Sequence, residues 1–477
     1  VQSGLLNRLA SLIGSATVNQ PYGNQNTLGI SVLEVVMGEG TVRRLAVLAA
    51  IAVLGLLAAT GCSGGGASGS GGGGKQVRVL MEDISYTDNI KSMLPEFEKQ
   101  TGIKITIETV PYSDMSAKIL QNFAQQSPYY DAVFTDNVFG SGYFASGYVV
   151  DLKSLAAKDT QYGTLNAFYQ PYVKPMTSSE GAVFGLPVYG ESTFLMYRKD
   201  LFQKYGITQV PQTTEQLETA AKKISEATNG QIAGITMRGA PGIQSVYPWA
   251  GLLRSFGGDF FDASGKIAVN SPEAVKATEF WAGLLRNYGP KGAANFDWEQ
   301  NRIAFTQGKA AMTIDATANG PFNENPKSST VAGKVGYAPV PYAAGTTPDA
   351  ADSDNSLNVH ALYLSKFSKN PDSTYKFMSW ATGDAVQSNA VKTVESVGVT
   401  LDKVLKGQAY AAKYGTFQKA VLAQVSTGNV NYLPSGKDSN KIIVETGQAL
   451  SSVLSGQSDA KAALDAAAKN LDGVKAG

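Results

Sequence analysis

Chemistry that depends on cysteine or histidine has almost no material here: the 477 residues contain one of each. One cysteine closes no internal disulfide and builds no cysteine-rich zinc site. One histidine leaves little for metal binding or acid–base catalysis, so neither a metal nor another cofactor is expected. An excess of either charge is missing too. Forty Lys and Arg stand against 39 Asp and Glu, so no basic field exists to hold a phosphate backbone, and nucleic acid is not expected as a partner. What is present is a folding composition, 43% hydrophobic and only 17% charged, in a chain too long for one ordinary core. Two compact lobes with appendages are expected.

The appendages come first. Met37 is the first methionine, and residues 1–36 are expected to be an over-called start or the product of a non-AUG codon. Arg43 and Arg44 precede an uncharged run of 17 residues from Leu45 to Gly61. That is the n-region and h-region of a secretory signal, and it falls short of the ~20 residues that span a bilayer. Ala59-Thr60-Gly61-Cys62 resembles a bacterial lipobox, in which the cysteine is acylated and becomes the new N-terminus, with Ala59 where leucine is usual. The plainer alternative is a buried structural cysteine, but the Gly/Ser tract after Cys62 cannot form a core. Residues 1–61 therefore read as upstream extension and signal peptide, and residues 62–74 as lipidated Cys62 and flexible tether with a reach on the order of 20 Å. This places the body on the outer face of the cytoplasmic membrane, anchored by lipid. Gly69 to Lys75 nearly matches a phosphate loop, but Gln76 stands where Ser or Thr is needed, and no strand precedes it.

The body opens as alternating strand and helix. Val77, Val79 and Met81 mark a strand, the spacing of Ile90, Met93, Leu94 and Phe97 marks a helix, and Ile103 to Val110 alternates as a second strand. Met115 to Gln126 reads as a helix and Asp131 to Thr135 as a third strand. The βαβαβ order predicts an α/β domain with a mainly parallel sheet, its functional loops at the carboxyl ends of the strands. A second region repeats the style. Thr213 caps a helix, and Ser271-Pro272-Glu273 starts another with an N-cap and a first-turn proline. Trp281 lies on the apolar stripe of that helix and is expected in the core.

The order of several short motifs resembles the family 1 extracellular solute-binding proteins of ABC importers, of the maltose- and polyol-binding type. The residues that carry it are Leu94-Pro95-Glu96-Phe97-Glu98-Lys99-Gln100-Thr101-Gly102-Ile103-Lys104, Gly185-Leu186-Pro187-Val188-Tyr189 and Leu195-Met196-Tyr197-Arg198-Lys199-Asp200-Leu201-Phe202. Further on stand Ser271-Pro272-Glu273-Ala274-Val275, Phe305-Thr306-Gln307-Gly308-Lys309-Ala310-Ala311-Met312 and Ser368-Lys369-Asn370-Pro371. The resemblance implies an α/β two-lobe periplasmic-binding-protein-like fold of class II type, its discontinuous lobes joined by a hinge of several crossings. Lobe I is expected over 75–188 and 361–400, and lobe II over 189–360 and 401–477. The crossings are then near Tyr189-Gly190-Glu191, around Asn358 to Leu362, and near Thr400. Where many relatives have a Gly-Gly-Trp-like stretch, this chain reads Ser356-Leu357-Asn358-Val359-His360-Ala361, so a ligand contact through that Trp is not carried over.

A site for sugars or polyols needs planar, fork-shaped groups that hydrogen-bond neighbouring hydroxyls, and aromatic faces that cover C–H surfaces. Glu82 and Asp83 follow the first strand, and Asp136 and Asn137 the third; solvated turns or helix caps are the alternative for both pairs. Tyr189 and Glu191 sit at the hinge, where both lobes reach a ligand. Arg238 follows a predicted strand and is expected to point into the cleft, an ordinary surface salt bridge being the alternative. Tyr247 and Trp249 stand before a predicted helix, one to stack and one to pack. Asp315 and Asn319 open the second lobe's side of the cleft by similarity, and His360 is expected as a hinge hydrogen-bonder. The acidic stretch 352–355 hints at calcium, but Leu357 holds the position where the calcium loop requires glycine, so no metal is expected.

The function expected is that of a non-enzymatic, monomeric receptor that captures a neutral sugar, oligosaccharide or sugar alcohol and delivers it to the transmembrane subunits of an ABC permease. The alternative is a secreted, lipid-anchored glycoside hydrolase, which needs two carboxyls about 5–10 Å apart; Glu82, Glu191 and Asp315 are the candidates. Replacing Glu191 or Arg238 with Ala is expected to abolish stabilisation by sugar and to leave the fold intact.

Overall fold

The computed structural model describes residues 76–343, 356–395 and 398–476. The extension, signal and tether (1–74), Cys62 and the acidic stretch 352–355 lie outside the described residues.

Among the described residues the strands run β1 (Gln76–Glu82), β2 (Lys104–Val110), β3 (Ala132–Asp136), β4 (Leu186–Glu191), β5 (Thr193–Arg198), β6 (Met312–Ala316), β7 (Val335–Ala338) and β8 (Asn358–Leu364). They form two sheets, ordered β2-β1-β3-β8-β4 and β6-β5-β7. In the first sheet β1 pairs in parallel with β2 and β3, while β8 runs antiparallel to β3 and β4. β1 buries Val77, Val79, Leu80 and Met81, an apolar run on both faces that suits a strand covered by helices on each side. The helix Ser85–Thr101 links β1 to β2 and stops at Gly102, whose φ of 68° is left-handed, a state glycine adopts without steric cost. The expected βαβαβ order of this region is therefore present.

The second sheet is antiparallel throughout. Around it the helix Thr214–Ala227 starts in a capping box made by Thr213 and Gln216, two reciprocal bonds that satisfy orphan amides of the first turn. The helix Pro272–Tyr288 starts at the Ser271 cap, whose side chain accepts from the Ala274 amide at 3.2 Å. Its inner stripe is Ala277, Trp281, Leu284 and Leu285, and Trp281 is fully buried, as the helical spacing predicted.

Three crossings join the two sheets. β4 stays in the first sheet through Glu191 and β5 starts the second at Thr193, so the crossing is the single residue Ser192, beyond the 188/189 divide expected from the sequence. Its amide donates to Thr317 Oγ1 at 3.0 Å and its carbonyl accepts from the Thr317 amide at 2.7 Å. The return comes before Asn358, because β8 runs unbroken in the first sheet and contains the expected 360/361 divide. Near Thr400 the chain has not yet left: Val399 bridges to Tyr189 and Leu401 to Phe168. The helices Asp402–Leu405 and Gln408–Tyr414 pack on Asp384–Thr393, and it is Thr416–Ser426 that reaches β7. At the first and third crossings the backbone keeps its ladder or helix contacts to the end before it changes sheet, which the turn residues alone did not reveal.

The hinge is tight. The Gly190 amide donates to the Gly398 carbonyl at 2.8 Å. A Cβ on Gly398 would lie 2.0 Å from the Gly190 oxygen, and one on Gly190 would lie 2.1 Å from the Tyr172 ring.

Candidate functional site

The carboxyl ends of β1, β3 and β4 and the start of the antiparallel β8 lie at one edge of the first sheet, so their last residues converge. A cavity of about 270 Å³ opens there. Its walls come from both lobes: Glu82, Tyr189, Glu191, Asn358 and His360 of the first sheet on one side, Arg238, Tyr247 and Asn319 of the second lobe on the other.

His360 is the centre of the first wall. Its Nδ1 lies 3.4 Å from Glu82 Oε2 and its Nε2 lies 3.9 Å from Glu191 Oε1. The Tyr189 ring stacks on the imidazole at 4.2 Å and 14°. Asn358 donates to Glu191 Oε1 at 3.2 Å and lies 3.3 Å from His360 Nε2. Burial opposes charge on this imidazole, but the close approach of the Glu82 carboxylate to Nδ1 and the charges of Glu82, Glu191 and Asp136 outweigh it, and its pKa is raised. Burial also raises Glu191, against the pull of His360, Arg238 and Asn358. It raises Asp136 against His360, the Tyr112 hydroxyl and the Phe139 amide. All three groups hold their protons more firmly folded than unfolded. The stability they contribute is full below their ordinary values and is lost as pH rises through the raised ones.

The opposite wall rests on a buried ion pair. Arg238 Nε and Nη2 donate to Asp315 Oδ1 at 2.9 and 2.5 Å, with side-chain exposures of 8% and 1%. The Ala316 amide donates to the same Oδ1, and Asn301 Nδ2 donates to Oδ2. The guanidinium lies 4.7 Å over the Tyr247 ring, and the Tyr247 hydroxyl reaches Ser356 at 2.9 Å.

Of the residues expected from the sequence, Glu82, Asp83, Tyr189, Glu191, Arg238, Tyr247, Asn319 and His360 line the cavity. Three others stand behind the wall. Asp136 caps the helix Asn137–Ala145 and accepts from Tyr112 at 2.5 Å. Asn137 accepts from the Val359 amide at 2.8 Å, and Asp315 holds Arg238. Trp249 is a correction. Its indole N–H donates to Thr278 at 2.9 Å, it packs on Phe260, and it is fully buried in the second lobe, so stacking on a cleft ligand is closed to it. Tyr247 and Trp249 lie inside the helix Ile243–Ser255 and not before it; all thirteen residues are buried despite Pro248. Arg238 follows two isolated bridges, Ala233 to Ala310 and Thr236 to Thr313, in place of a full strand.

The sequence reading missed Tyr112, Trp298, Arg302, Phe322 and Asn358, which also line the cavity. Tyr112 follows β2, so the strand-end rule that found Glu82 applied to it as well. The Asp297–Gln300 capping box starts the helix Trp298–Thr306, and that signal would have placed Trp298 and Arg302 one turn apart. The Arg302 guanidinium lies 4.3 Å over Phe322 and 5.6 Å over Trp298.

The buried Asn319 Nδ2, Asn358 Oδ1 and Arg302 Nε have no hydrogen-bond partner among the described residues. Leaving such a group unsatisfied costs about 1–3 kcal/mol, and a hydroxyl, which both donates and accepts, can serve donor and acceptor alike. Asp315 has no oxygen free to act as an acid or base, and Glu82 and Glu191 both face His360. Among the described residues no group of three or more His, Cys, Asp or Glu side chains could hold a metal ion, and no helix is long and apolar enough to cross a membrane.

A family model described as bacterial extracellular solute-binding protein matches residues 83–388. A mannitol-binding protein of Pseudomonas aeruginosa is 32% identical over 217 residues, 45% of this chain and 48% of that protein, so the match spans about half of that relative's length. The solute-binding protein of Agrobacterium radiobacter K84 in complex with ribitol superposes with a TM-score of 0.76 at 27% identity, over 83% of this chain and 98% of that one. That of Agrobacterium vitis S4 with bound D-mannitol gives 0.74 at 25%, over 83% and 97%.

Proposed function

The chain belongs to the bacterial extracellular solute-binding proteins, and from that premise we propose that its cleft captures a neutral, hydroxyl-rich solute, a sugar or sugar alcohol, for delivery to an ABC permease. The observation that carries this is the cavity wall. Carboxylates, amides, an arginine fork and tyrosine faces converge from both lobes, and among the described residues Asn319 and Asn358 are left with unused hydrogen-bonding atoms. Its volume of about 270 Å³ lies at the lower end of ordinary ligand pockets. That favours an acyclic polyol or a single sugar ring over a long oligosaccharide. The ligands of the two Agrobacterium proteins, ribitol and D-mannitol, are solutes of this size and chemistry. The three carboxyls expected to serve a hydrolase are engaged, Glu82 and Glu191 beside His360 and Asp315 by Arg238, so the receptor reading is preferred to the enzyme.

A thermal-shift titration tests it. D-Mannitol or ribitol is expected to raise the melting temperature, with a stabilisation of about 2.7 kcal/mol at a hundredfold excess over Kd. D-Gluconate, whose carboxylate would face Glu82 and Glu191, is expected to give no shift. Glu191→Gln is expected to weaken polyol binding roughly tenfold or more through loss of a charged acceptor. Equal binding of gluconate and mannitol would contradict the neutral-solute reading.

The proposal extends to the body's address. Acylation of Cys62 would hold a monomeric receptor to the outer face of the membrane, within tether's reach of its permease. Membrane-fraction blots of wild type and Cys62→Ser check it: the variant is expected in the soluble fraction, and equal membrane retention would remove the anchor from the picture.

A further inference from the structure

The chain's one histidine sits where charge from several elements meets. Glu82 faces its Nδ1 from β1 and Glu191 its Nε2 from β4, with Tyr189 of β4 covering the ring. Asp136 is its cross-strand partner on β3. Tyr112, which holds Asp136, has its ring 5.9 Å from the imidazole. From the second lobe, Arg238 pulls on Glu191 while paired to Asp315. Three carboxylates thus surround one imidazole, and none of the four groups is more than 5% exposed.

We infer that solute capture is coupled to a proton on His360: the cleft binds its solute most tightly with the imidazole protonated, and closing over the solute draws a proton in. This rests on the polyol reading above. A neutral solute adds no charge of its own but displaces water from a cluster with more anions than cations. Loss of that water penalises the excess negative charge, and taking up a proton relieves it. Asn358 is where the proton is felt. With a neutral imidazole its Nδ2 serves both Glu191 Oε1 and the Nε2 lone pair, leaving Oδ1 without a partner. Once Nε2 carries a hydrogen, that second bond is lost; turning Oδ1 toward the ring lets it accept from Nε2 and points the N–H groups at the cavity, giving up the bond to Glu191 Oε1, which keeps the imidazolium charge 3.9 Å away as its partner. The protonation state therefore sets whether this wall shows the solute an acceptor or a donor.

Isothermal titration calorimetry with D-mannitol and with ribitol, from about pH 5.5 to about pH 8.5 in buffers of different ionisation enthalpy, tests the coupling. Affinity is expected to fall on the order of tenfold across that range, with net proton uptake on binding. The melting temperature of the free protein is expected to fall over the same range. His360→Gln should bind with a flattened pH profile. Because that variant could lose its fold, the wild type carries a second readout: its lone imidazole gives one NMR titration curve, whose midpoint should rise on adding solute. Binding that ignores pH, an unchanged slope in His360→Gln, or an unmoved imidazole midpoint overturns the inference alone. If neither probe binds at any pH, the polyol reading falls and takes the coupling with it.

Discussion

Arg238→Ala is expected to lose the thermal shift caused by polyol and, in addition, to destabilise the free protein by about 3–5 kcal/mol. Deleting the guanidinium removes both bonds to Asp315 Oδ1 and leaves a carboxylate at 1% exposure without its counter-ion. Asn301 and the Ala316 amide remain as donors, but neither carries charge. A loss of this size is a large fraction of the total stability of a domain. The sequence alone suggested a variant that stops binding and keeps its fold; the buried pair changes that expectation, because the binding group is also a structural one. The double variant Arg238→Met with Asp315→Leu separates the roles. It removes both charges together and should recover much of the stability, since apolar groups often replace a buried pair without cost, while binding stays lost. Urea denaturation of the three proteins reads the effect. An Arg238→Ala midpoint equal to that of the wild type would show that the pair does not support the fold.

Gly398→Ala is expected to be nearly as damaging, by about 3 kcal/mol, although it adds one methyl group. That methyl would lie 2.0 Å from the Gly190 oxygen, a main-chain atom that no rotamer change moves aside. Gly190 cannot retreat, because Tyr172 fills the space on its other face. The hinge strands must therefore separate, breaking the bond between the Gly190 amide and the Gly398 carbonyl and shifting Tyr189 and Glu191 on either side. Both stability and polyol affinity should fall together. A variant with wild-type melting temperature would mean that the hinge has slack that its geometry does not suggest.

Much of this arrangement was legible from the residues. Apolar patterning located β1 to β3, and the rule that strand ends carry function pointed to Glu82, which lines the cavity, and to Asp136, which stands behind its wall. Partners distant in sequence were not legible. Nothing near Arg238 announces Asp315 as its mate 77 positions on, and nothing near Trp249 announces Thr278. Aromatic chemistry suits both stacking and packing, so Tyr247 and Trp249 could not be told apart until the helix Ile243–Ser255 fixed which ring faces the cavity. That helix holds Pro248 in its interior, and burial of all thirteen residues outweighs the backbone bond that proline removes.

β4 and β8 are neighbours, and Glu191 stands opposite Asn358 with 167 positions between them. The pair is a hairpin whose connection is most of another lobe. During synthesis or export, β4 emerges without its partner and waits until the chain has delivered β8, the strand that also closes the open side of β3. The inserted segment carries only part of its lobe, because Thr416–Ser426 reaches β7 and Ser439–Leu454 packs on Ile243–Ser255 and Pro272–Tyr288, so each lobe waits for chain that lies beyond the other. The first lobe to leave the ribosome keeps bare strand edges until β8 arrives, and these are what a holding chaperone would have to cover in the interval.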